Sequence, residues 1–263
     1  MKRFLPDCIR QQPVIWELRK IILCNISWIK SLFKYRKLSI IGDTIIYFPK
    51  YYKSIKRHDD PLNHDQPWIV FKAKDFLDKI LKNDMVVWEY GSGSSTLYFA
   101  RRVKQVYSVE NEKNWFDHLT ARIAVEDIKN IHYMLIEAEK TSSETLNSIY
   151  ISKSVTNEKR NFMNYVSSID IIPDNSLDIV LIDGRARKAC IAHAIPKIKQ
   201  GGYLIIDNSD RSYYFEQNEI LFDKEKWRLI HFVGPVPYTF DFSKTSFFKK
   251  ESHDEIIRNY TGI

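Results

Sequence analysis

Short apolar runs and longer segments with apolar residues at helical spacing alternate along most of the chain. The runs predict five strands, at residues 85–88, 105–109, 131–136, 177–182 and 203–206, and the longer segments predict helices at 95–103, 114–125 and 187–199. Strands that alternate with helices pair in parallel through right-handed crossovers. The pattern therefore predicts an α/β protein of three layers, with one sheet between two layers of helices.

Two more apolar runs, at 228–233 and 245–249, complete a sheet of seven strands. The connection between them is too short for a crossover helix, so they are expected to form an antiparallel hairpin. Gly201-Gly202 is expected to cap the helix 187–199 at its C-terminus. A further helix is expected near 213–222.

The N-terminal part of the chain does not follow this alternation. Helices are expected at about 14–30 and 31–37, a turn at Gly42-Asp43, and a strand or extended arm at 44–48. An apolar stripe predicts a helix at 69–81. The expected organisation is a basic helical extension at 1–60, an α/β domain at 61–250 with an insertion at 138–169, and a tail at 251–263.

Two segments are expected to border a substrate. The polar loop 58–68 is a candidate lid whose contacts would come from Tyr51, Tyr52, His64 and Trp68, although Trp68 would equally suit the core. The insertion 138–169 is long for a bare connection, and such segments are usually functional or disordered. Its aromatic residues, Tyr150, Phe162 and Tyr165, favour a segment that covers the substrate.

A glycine turn between the first strand and its helix is the most informative motif. It reads Glu89-x-Gly91-x-Gly93-x-Ser95, and Thr96 stands where a dinucleotide fingerprint has its third glycine. A strand that leads through glycines into a helix presents backbone N–H groups to a ligand. Glu110 ends the next strand 19 residues after Gly91, close to the spacing of about 20 that ribose recognition uses.

Together these residues resemble the first motif of class I S-adenosylmethionine (SAM) dependent methyltransferases, with Ser95 in place of the third glycine. The resemblance covers about residues 67–250 and implies a Rossmann-like methyltransferase fold. It also implies that Glu110 binds the ribose hydroxyls, that Glu137 or Glu139 contacts adenine and that Asp183 faces the cofactor. The implied cofactor loop consists of Glu89, Tyr90, Gly91, Ser92, Gly93, Ser94, Ser95 and Thr96.

Acids at the strand ends suggest a second resemblance. Asp183 and the pair Asp207-Asn208 match the three positions that bind one Mg²⁺ in cation-dependent O-methyltransferases, where the metal would lower the pKa of the acceptor hydroxyl. The sequence departs from that group at Ala186, where a lysine base is expected. The alternative is that Asp183 faces the cofactor while Asp207-Asn208 caps a turn.

Without a metal, an oxygen acceptor needs a general base. Asp183 is the first choice by position, with His64 or His193 as alternatives. Arg187, Arg185 and Arg211 follow the strand ends and could bind a phosphate, carboxylate or uronate of the acceptor, or pair with the nearby acids. These side chains favour a polar acceptor such as a sugar.

Composition and charge limit the kinds of molecule that the chain is expected to bind. The chain has 263 residues, and its 44% hydrophobic content suffices for a core. Residues 1–60 hold 13 lysines and arginines against 5 acids, a net charge of +8, whereas the remainder has 27 against 28. This basic extension could bind an anionic membrane surface, because apolar residues recur in it at helical spacing, namely Trp16, Ile22, Ile26, Ile29 and Phe33. The alternative is a helix packed on the domain with its lysines in solvent.

Other features favour a cytoplasmic protein. Three cysteines without paired spacing suggest neither a disulfide framework nor a zinc site, and no signal peptide or bilayer-spanning segment is apparent. No nucleic-acid-binding motif is present. The sequence thus predicts a SAM-dependent O-methyltransferase for a small-molecule or glycan acceptor. A nicotinamide-dependent oxidoreductase and a non-catalytic interaction protein of the same fold are the alternatives.

Overall fold

The computed structural model describes residues 13–36, 39–55, 60–64, 66–140, 148–151 and 160–251. Its centre is a seven-stranded sheet. The strands of this sheet are β1 (Val86–Tyr90), β2 (Gln105–Glu110), β3 (Ile131–Leu135), β6 (Leu177–Ile182), β7 (Ile198–Ile206), β8 (Trp227–Pro235) and β9 (Phe242–Lys250), whereas β4 (Glu139–Lys140) and β5 (Arg160–Asn161) form a separate pair. The order in the sheet is β3-β2-β1-β6-β7-β9-β8. The first five are parallel, whereas β9 pairs antiparallel with both β7 and β8. The predicted fold class and the final antiparallel hairpin are therefore confirmed.

Helices pack on both faces of this sheet. They are α3 (Phe71–Ile80), α4 (Ser94–Ala100), α5 (Lys113–Val125), α6 (Met163–Ser167) and α7 (Arg187–Ala194). Alternate residues of β1 face opposite sides, as the period of a strand requires: Trp88 packs with α6 and α7, and Val87 with α3 and α4. Two hydrophobic cores thus hold the sheet between its helical layers.

The structure differs from the predictions around β7. The helix expected at 187–199 ends at Ala194, and β7 begins at Ile198 instead of Tyr203. Gly201 has a φ of +78° and lies within β7, where the pairing with β6 shifts register between Leu177 and Ile179. The glycine pair therefore lies at an irregularity of strand β7 and does not cap a helix. Residues 213–222 form two short 3₁₀ turns instead of a helix.

The N-terminal residues form two helices, α1 (Pro13–Tyr35) and α2 (Ser39–Ser54). The strand or arm predicted at 44–48 is wrong, and the turn predicted at Gly42-Asp43 lies inside α2. The buried residues of this segment explain the error, because they recur every three or four residues as a packed helix requires: Ile40, Thr44, Tyr47, Tyr51 and Ile55. No helix among the described residues is long and apolar enough to cross a bilayer.

The described part of the insertion 138–169 contributes four buried residues to the domain core, namely Phe162, Tyr165, Val166 and Ile169. Its strands β4 (Glu139–Lys140) and β5 (Arg160–Asn161) pair antiparallel. Phe162 and Tyr165 are fully buried against the sheet, so these two rings do not cover a substrate. Residues 141–147 and 152–159, the tail after Glu251, and His58 of the predicted lid lie outside the described residues.

Candidate active site

The glycine turn after β1 is shaped by a close backbone approach. Gly91 has a φ of +87°, and a Cβ atom placed on it would lie 2.7 Å from Cα of Gly184, the residue after Asp183 at the end of β6. Only glycine combines this conformation with this contact. Gly93, by contrast, has an extended φ of 171°, and a Cβ there would meet only Oγ of Ser95, at 3.8 Å. Gly91 thus serves the fold, while Gly93 leaves open space above the turn.

Glu89 lies behind the turn and is fully buried. Its Oε2 atom accepts hydrogen bonds from the hydroxyls of Thr96 and Ser108, and the Thr96 hydroxyl also accepts from the backbone N–H of Gly93. Burial raises the pKa of Glu89 to about 7. Glu89 and Thr96 therefore stabilise the loop through buried hydrogen bonds. Tyr90 is a core residue whose hydroxyl donates to the carbonyl of Val166.

Glu110 connects the end of β2 to the same turn. Its Oε2 accepts from the backbone N–H of Ser92 at 3.1 Å and from the Ser92 hydroxyl at 2.8 Å. Its Oε1 accepts from the backbone N–H groups of Asn111 and Glu112. The carboxylate is therefore fixed at the strand end, where a ligand hydroxyl could take the place of the Ser92 hydroxyl.

A cavity of about 260 Å³ opens above this turn. Its lining consists of Pro61, Trp68, Ser92, Gly93, Ser94, Ser95, Trp115 and Asp183. Sequence reasoning did not select Pro61 or Trp115. Trp115 is fixed by a hydrogen bond of 3.0 Å from its indole N–H to the carbonyl of Ser92. Trp115 lies in the first turn of the helix after β2, and this position in the sequence could have predicted an aromatic residue in the cavity wall.

A second cavity, of about 450 Å³, adjoins the first and shares Asp183 and Trp68 with it. Its other lining residues are mostly polar: Lys34, Asp207, Asn208, Asp210, Arg211, Val236, Thr239, Asp241, Phe242 and Ser243. Lys34 comes from α1 and forms an ion pair with Asp210. The sequence predicted contacts from Tyr51 and Tyr52 of the N-terminal extension, but it did not indicate Lys34.

Arg187 neutralises the acids at the ends of β6 and β7. Its guanidinium donates to Oδ1 and the backbone carbonyl of Asp183, both at 2.7 Å, and to the backbone carbonyls of Gly184 and Asp207. Burial raises the pKa of Asp183, and the Arg187 charge opposes this shift. Burial, followed by the Asp183 charge, raises the pKa of Asp207. Arg187 is thus engaged inside the protein and is not displayed to an acceptor.

The residues predicted to bind Mg²⁺ do not fit that role. Oδ1 of Asp183 is paired with Arg187, and the two carboxylate oxygens of Asp207 accept from Thr245 Oγ1 and Asn208 Nδ2, each at 2.7 Å. Three of the oxygen atoms that would bind a metal therefore already have partners within the protein, namely Oδ1 of Asp183 and both carboxylate oxygens of Asp207. The described residues also contain no group of three or more histidine, cysteine or acidic side chains that could hold a metal ion.

Several other predicted residues do not line either of the two cavities. Tyr51 is buried against Phe242, and the hydroxyl of Tyr52 donates to Glu17. His64 stacks on Tyr238 with ring centroids 5.4 Å apart and lines neither cavity. Their places in the packing of the N-terminal segments could not be read from the sequence.

Two further predicted residues do not line the cavities either. Glu137 is exposed after β3. His193 pairs with Asp170 at 2.9 Å and with the hydroxyl of Tyr150 at 3.1 Å. Of the predicted catalytic residues, only Asp183 lines a cavity.

No protein-family model and no curated protein matches the sequence. Among solved structures, a protein from Corynebacterium glutamicum is similar over 80% of this chain and 98% of its own, at 10% identity and a TM-score of 0.51. An rRNA methylase from Streptococcus thermophilus matches over 75% and 100% of the two chains (14%, 0.49). A Streptococcus mutans protein in complex with SAH matches over 73% and 99% (11%, 0.48).

These likenesses concern the fold. The strand order, the parallel β1–β6 pairing and the antiparallel β8–β9 hairpin define the Rossmann-like fold of class I SAM-dependent methyltransferases. The fold predicted from the glycine motif is therefore confirmed.

Proposed function

We propose that the protein is a SAM-dependent methyltransferase that methylates a hydroxyl group of a polar small molecule or glycan. The observation that carries the proposal is the meeting of two cavities at Asp183 and Trp68. One cavity lies over the glycine turn, and the other is polar and faces the carboxyl ends of β6 and β7. Methyl transfer requires such neighbouring sites, because the donor and the acceptor must meet in line.

The first cavity suits SAM. Gly93 leaves space above the turn, Trp115 offers an apolar wall, and Glu110 offers a carboxylate at the strand end where ribose hydroxyls bind in Rossmann-like folds. When bound there, SAM would supply a methyl group activated by its sulfonium charge. The protein's part is to fix this group and exclude water from it.

The second cavity suits a hydroxylated acceptor. Carboxylate, amide and hydroxyl groups of Asp210, Asp241, Asn208 and Ser243 can exchange hydrogen bonds with several acceptor hydroxyls. Phe242 and Trp68 provide apolar surface for the carbon face of a ring.

Asp183 is the proposed base at the boundary between the cavities. With SAM bound, the methyl group would pass from its sulfur to the acceptor oxygen, and the Asp183 carboxylate would accept the proton that the acceptor hydroxyl loses. Burial raises the pKa of Asp183 and brings it closer to the pH at which general bases act efficiently. Arg187 fixes one carboxylate oxygen and thereby orients the group.

Calorimetry with SAM, S-adenosylhomocysteine and NAD⁺ tests the cofactor. We expect the first two to bind to the wild-type chain, and Gly93→Leu to abolish binding, because its side chain would fill the cavity without backbone strain. Gly42→Leu is the matched control, since a Cβ at Gly42 meets nothing within 4 Å. Binding of NAD⁺ without SAM would favour an oxidoreductase.

Transfer of a radiolabelled methyl group from SAM to a panel of sugars and small alcohols tests the reaction. We expect label in an acceptor with the wild-type chain and none with Asp183→Asn, while SAM affinity is retained. SAM binding without transfer to any hydroxylated acceptor would contradict the proposed chemistry.

A further inference from the structure

The buried face of helix α1 carries polar residues, although a face that packs on a domain is usually apolar. Its buried residues are Lys20, Cys24 and Ser31, which lie on one face because they are four and seven residues apart. The ammonium group of Lys20 lies 3.0 Å from a carboxylate oxygen of Glu17 and 3.9 Å above the ring of Tyr52. A lysine therefore faces inward, with only 6% of its surface exposed.

The opposite side of α1 exposes a row of large apolar residues to solvent, called here the α1 stripe. It consists of Val14, Ile15, Leu18, Ile21, Ile22, Ile26, Ile29 and Phe33. Phe33 is 78% exposed and Ile22 57%. Single exposed apolar residues are common, but a contiguous row on one helix marks an interaction surface.

Positive charge borders the stripe. Arg19 and Lys30 are 11 residues, or about three helical turns, apart, so they lie on one edge of α1. Helix α2 has exposed residues of the same two kinds, Ile41, Ile45 and Ile46 together with Lys50 and Lys53. The only acids in the sequence from 13 to 55 are Glu17 and Asp43, and each is bound to a lysine, Lys20 or Lys72.

We propose that α1 lies flat on an anionic lipid bilayer, with the α1 stripe among the acyl chains and the basic edge at the lipid headgroups. An apolar helix face with basic residues at its border is typical of helices that bind in the plane of a membrane. At 23 residues, α1 is about 35 Å long, so the contact would extend over several lipids.

Charge complementarity favours lipid over a second copy of the chain. Pairing two stripes would bring two basic edges together without acids to balance them, whereas anionic headgroups attract each cation by about 1 kcal/mol, or roughly five-fold in affinity. This docking does not depend on the proposed methyl transfer.

Vesicle sedimentation with the full chain tests the proposal. We expect the protein to sediment with vesicles of phosphatidylcholine and phosphatidylglycerol, less with phosphatidylcholine alone, and less at high salt because salt screens the charges. The double variant Ile22→Asn/Ile29→Asn should lower binding roughly ten-fold or more, because two apolar side chains no longer enter the bilayer.

Two controls keep the result interpretable. Ile171→Asn makes the same change at a residue that is 73% exposed before β6, and it should leave vesicle binding unchanged. Thermal unfolding shows whether each variant remains folded. Equal binding by the double variant and the wild type, or no binding by the wild type, would refute membrane docking. A lipid-free dimer that the double variant dissociates would assign the stripe to a second copy instead.

Discussion

Nη2 of Arg187 lies 2.7 Å from Oδ1 of Asp183, and Nη1 of the same guanidinium donates to the backbone carbonyl of Asp207. One side chain therefore joins the ends of β6 and β7 and places a permanent positive charge beside both acids. A divalent cation would also place positive charge at these strand ends. In this protein the positive charge comes from Arg187, the first residue of α7.

Replacing Arg187 with methionine should destabilise the fold strongly. The change would leave the Asp183 carboxylate and several carbonyl groups without their partner, and breaking a buried pair in this way costs about 3–5 kcal/mol. Urea unfolding measures the loss. Arg185→Met is the control, because Arg185 is exposed two residues away. If both variants lose equally little stability, the guanidinium does not join the strand ends as described.

Glu89 should make stability depend on pH. In the unfolded chain its carboxyl loses a proton near the ordinary pKa of 4.5, whereas burial raises the folded pKa to about 7. Between these values the unfolded state binds fewer protons, so the free energy of unfolding should fall as pH rises from about 4.5 to 7. The loss is on the order of 3 kcal/mol.

The test compares unfolding of the wild type and Glu89→Gln across this pH range. The variant should show a shallower fall, because glutamine does not titrate while its oxygen can still accept from Thr96 and Ser108. Glu137→Gln, at an exposed carboxyl, should keep the wild-type slope. Parallel curves for wild type and Glu89→Gln would contradict the raised pKa.

Replacing Glu110 with glutamine should weaken SAM binding about 10- to 100-fold, because hydrogen bonds to a charged group contribute about 1.5–3 kcal/mol. Calorimetry measures the change. Glu112→Gln is the control, since Glu112 caps α5 two residues later and its carboxylate accepts from Asn114 and Trp115 N–H groups. Equal affinities for wild type and Glu110→Gln would exclude Glu110 from ribose binding.

The two motif glycines should respond differently to alanine. Gly91→Ala requires a side chain at positive φ and a contact of 2.7 Å with Gly184, so it should destabilise the fold by about 3 kcal/mol or more. Gly93→Ala has neither problem and should stay within about 1 kcal/mol of the wild type. Denaturant titration distinguishes them, and similar losses would refute the assigned roles.

The sequence predicted the sheet well because buried parallel strands contain continuous apolar runs, as at residues 179–182. It failed at α2, where the local run 44–48 looked like a strand while the burial of Ile40, Tyr47 and Tyr51 followed the helical period. The surface against which α2 packs decides between strand and helix at these residues, and a local sequence pattern carries no information about that surface.

The candidate site was predictable only in part. The motif located Ser92 to Ser95 and Asp183 at a common edge, because strand ends of a parallel sheet converge there. It did not separate Glu89, which supports the loop, from residues that line the cavity. The sequence left open whether Arg187 binds an acceptor or pairs with a nearby acid, and the structure shows the pair with Asp183.

Helix α1 carries Phe33 in its exposed stripe and, one residue later, Lys34 in the wall of the second cavity. A rigid helix cannot move one without the other. The ion pair between Lys34 and Asp210 therefore joins the helix that carries the stripe to another wall residue of the same cavity. Because coupling between two binding events is reciprocal, a ligand of the second cavity that strengthens this ion pair would also strengthen binding at the α1 stripe.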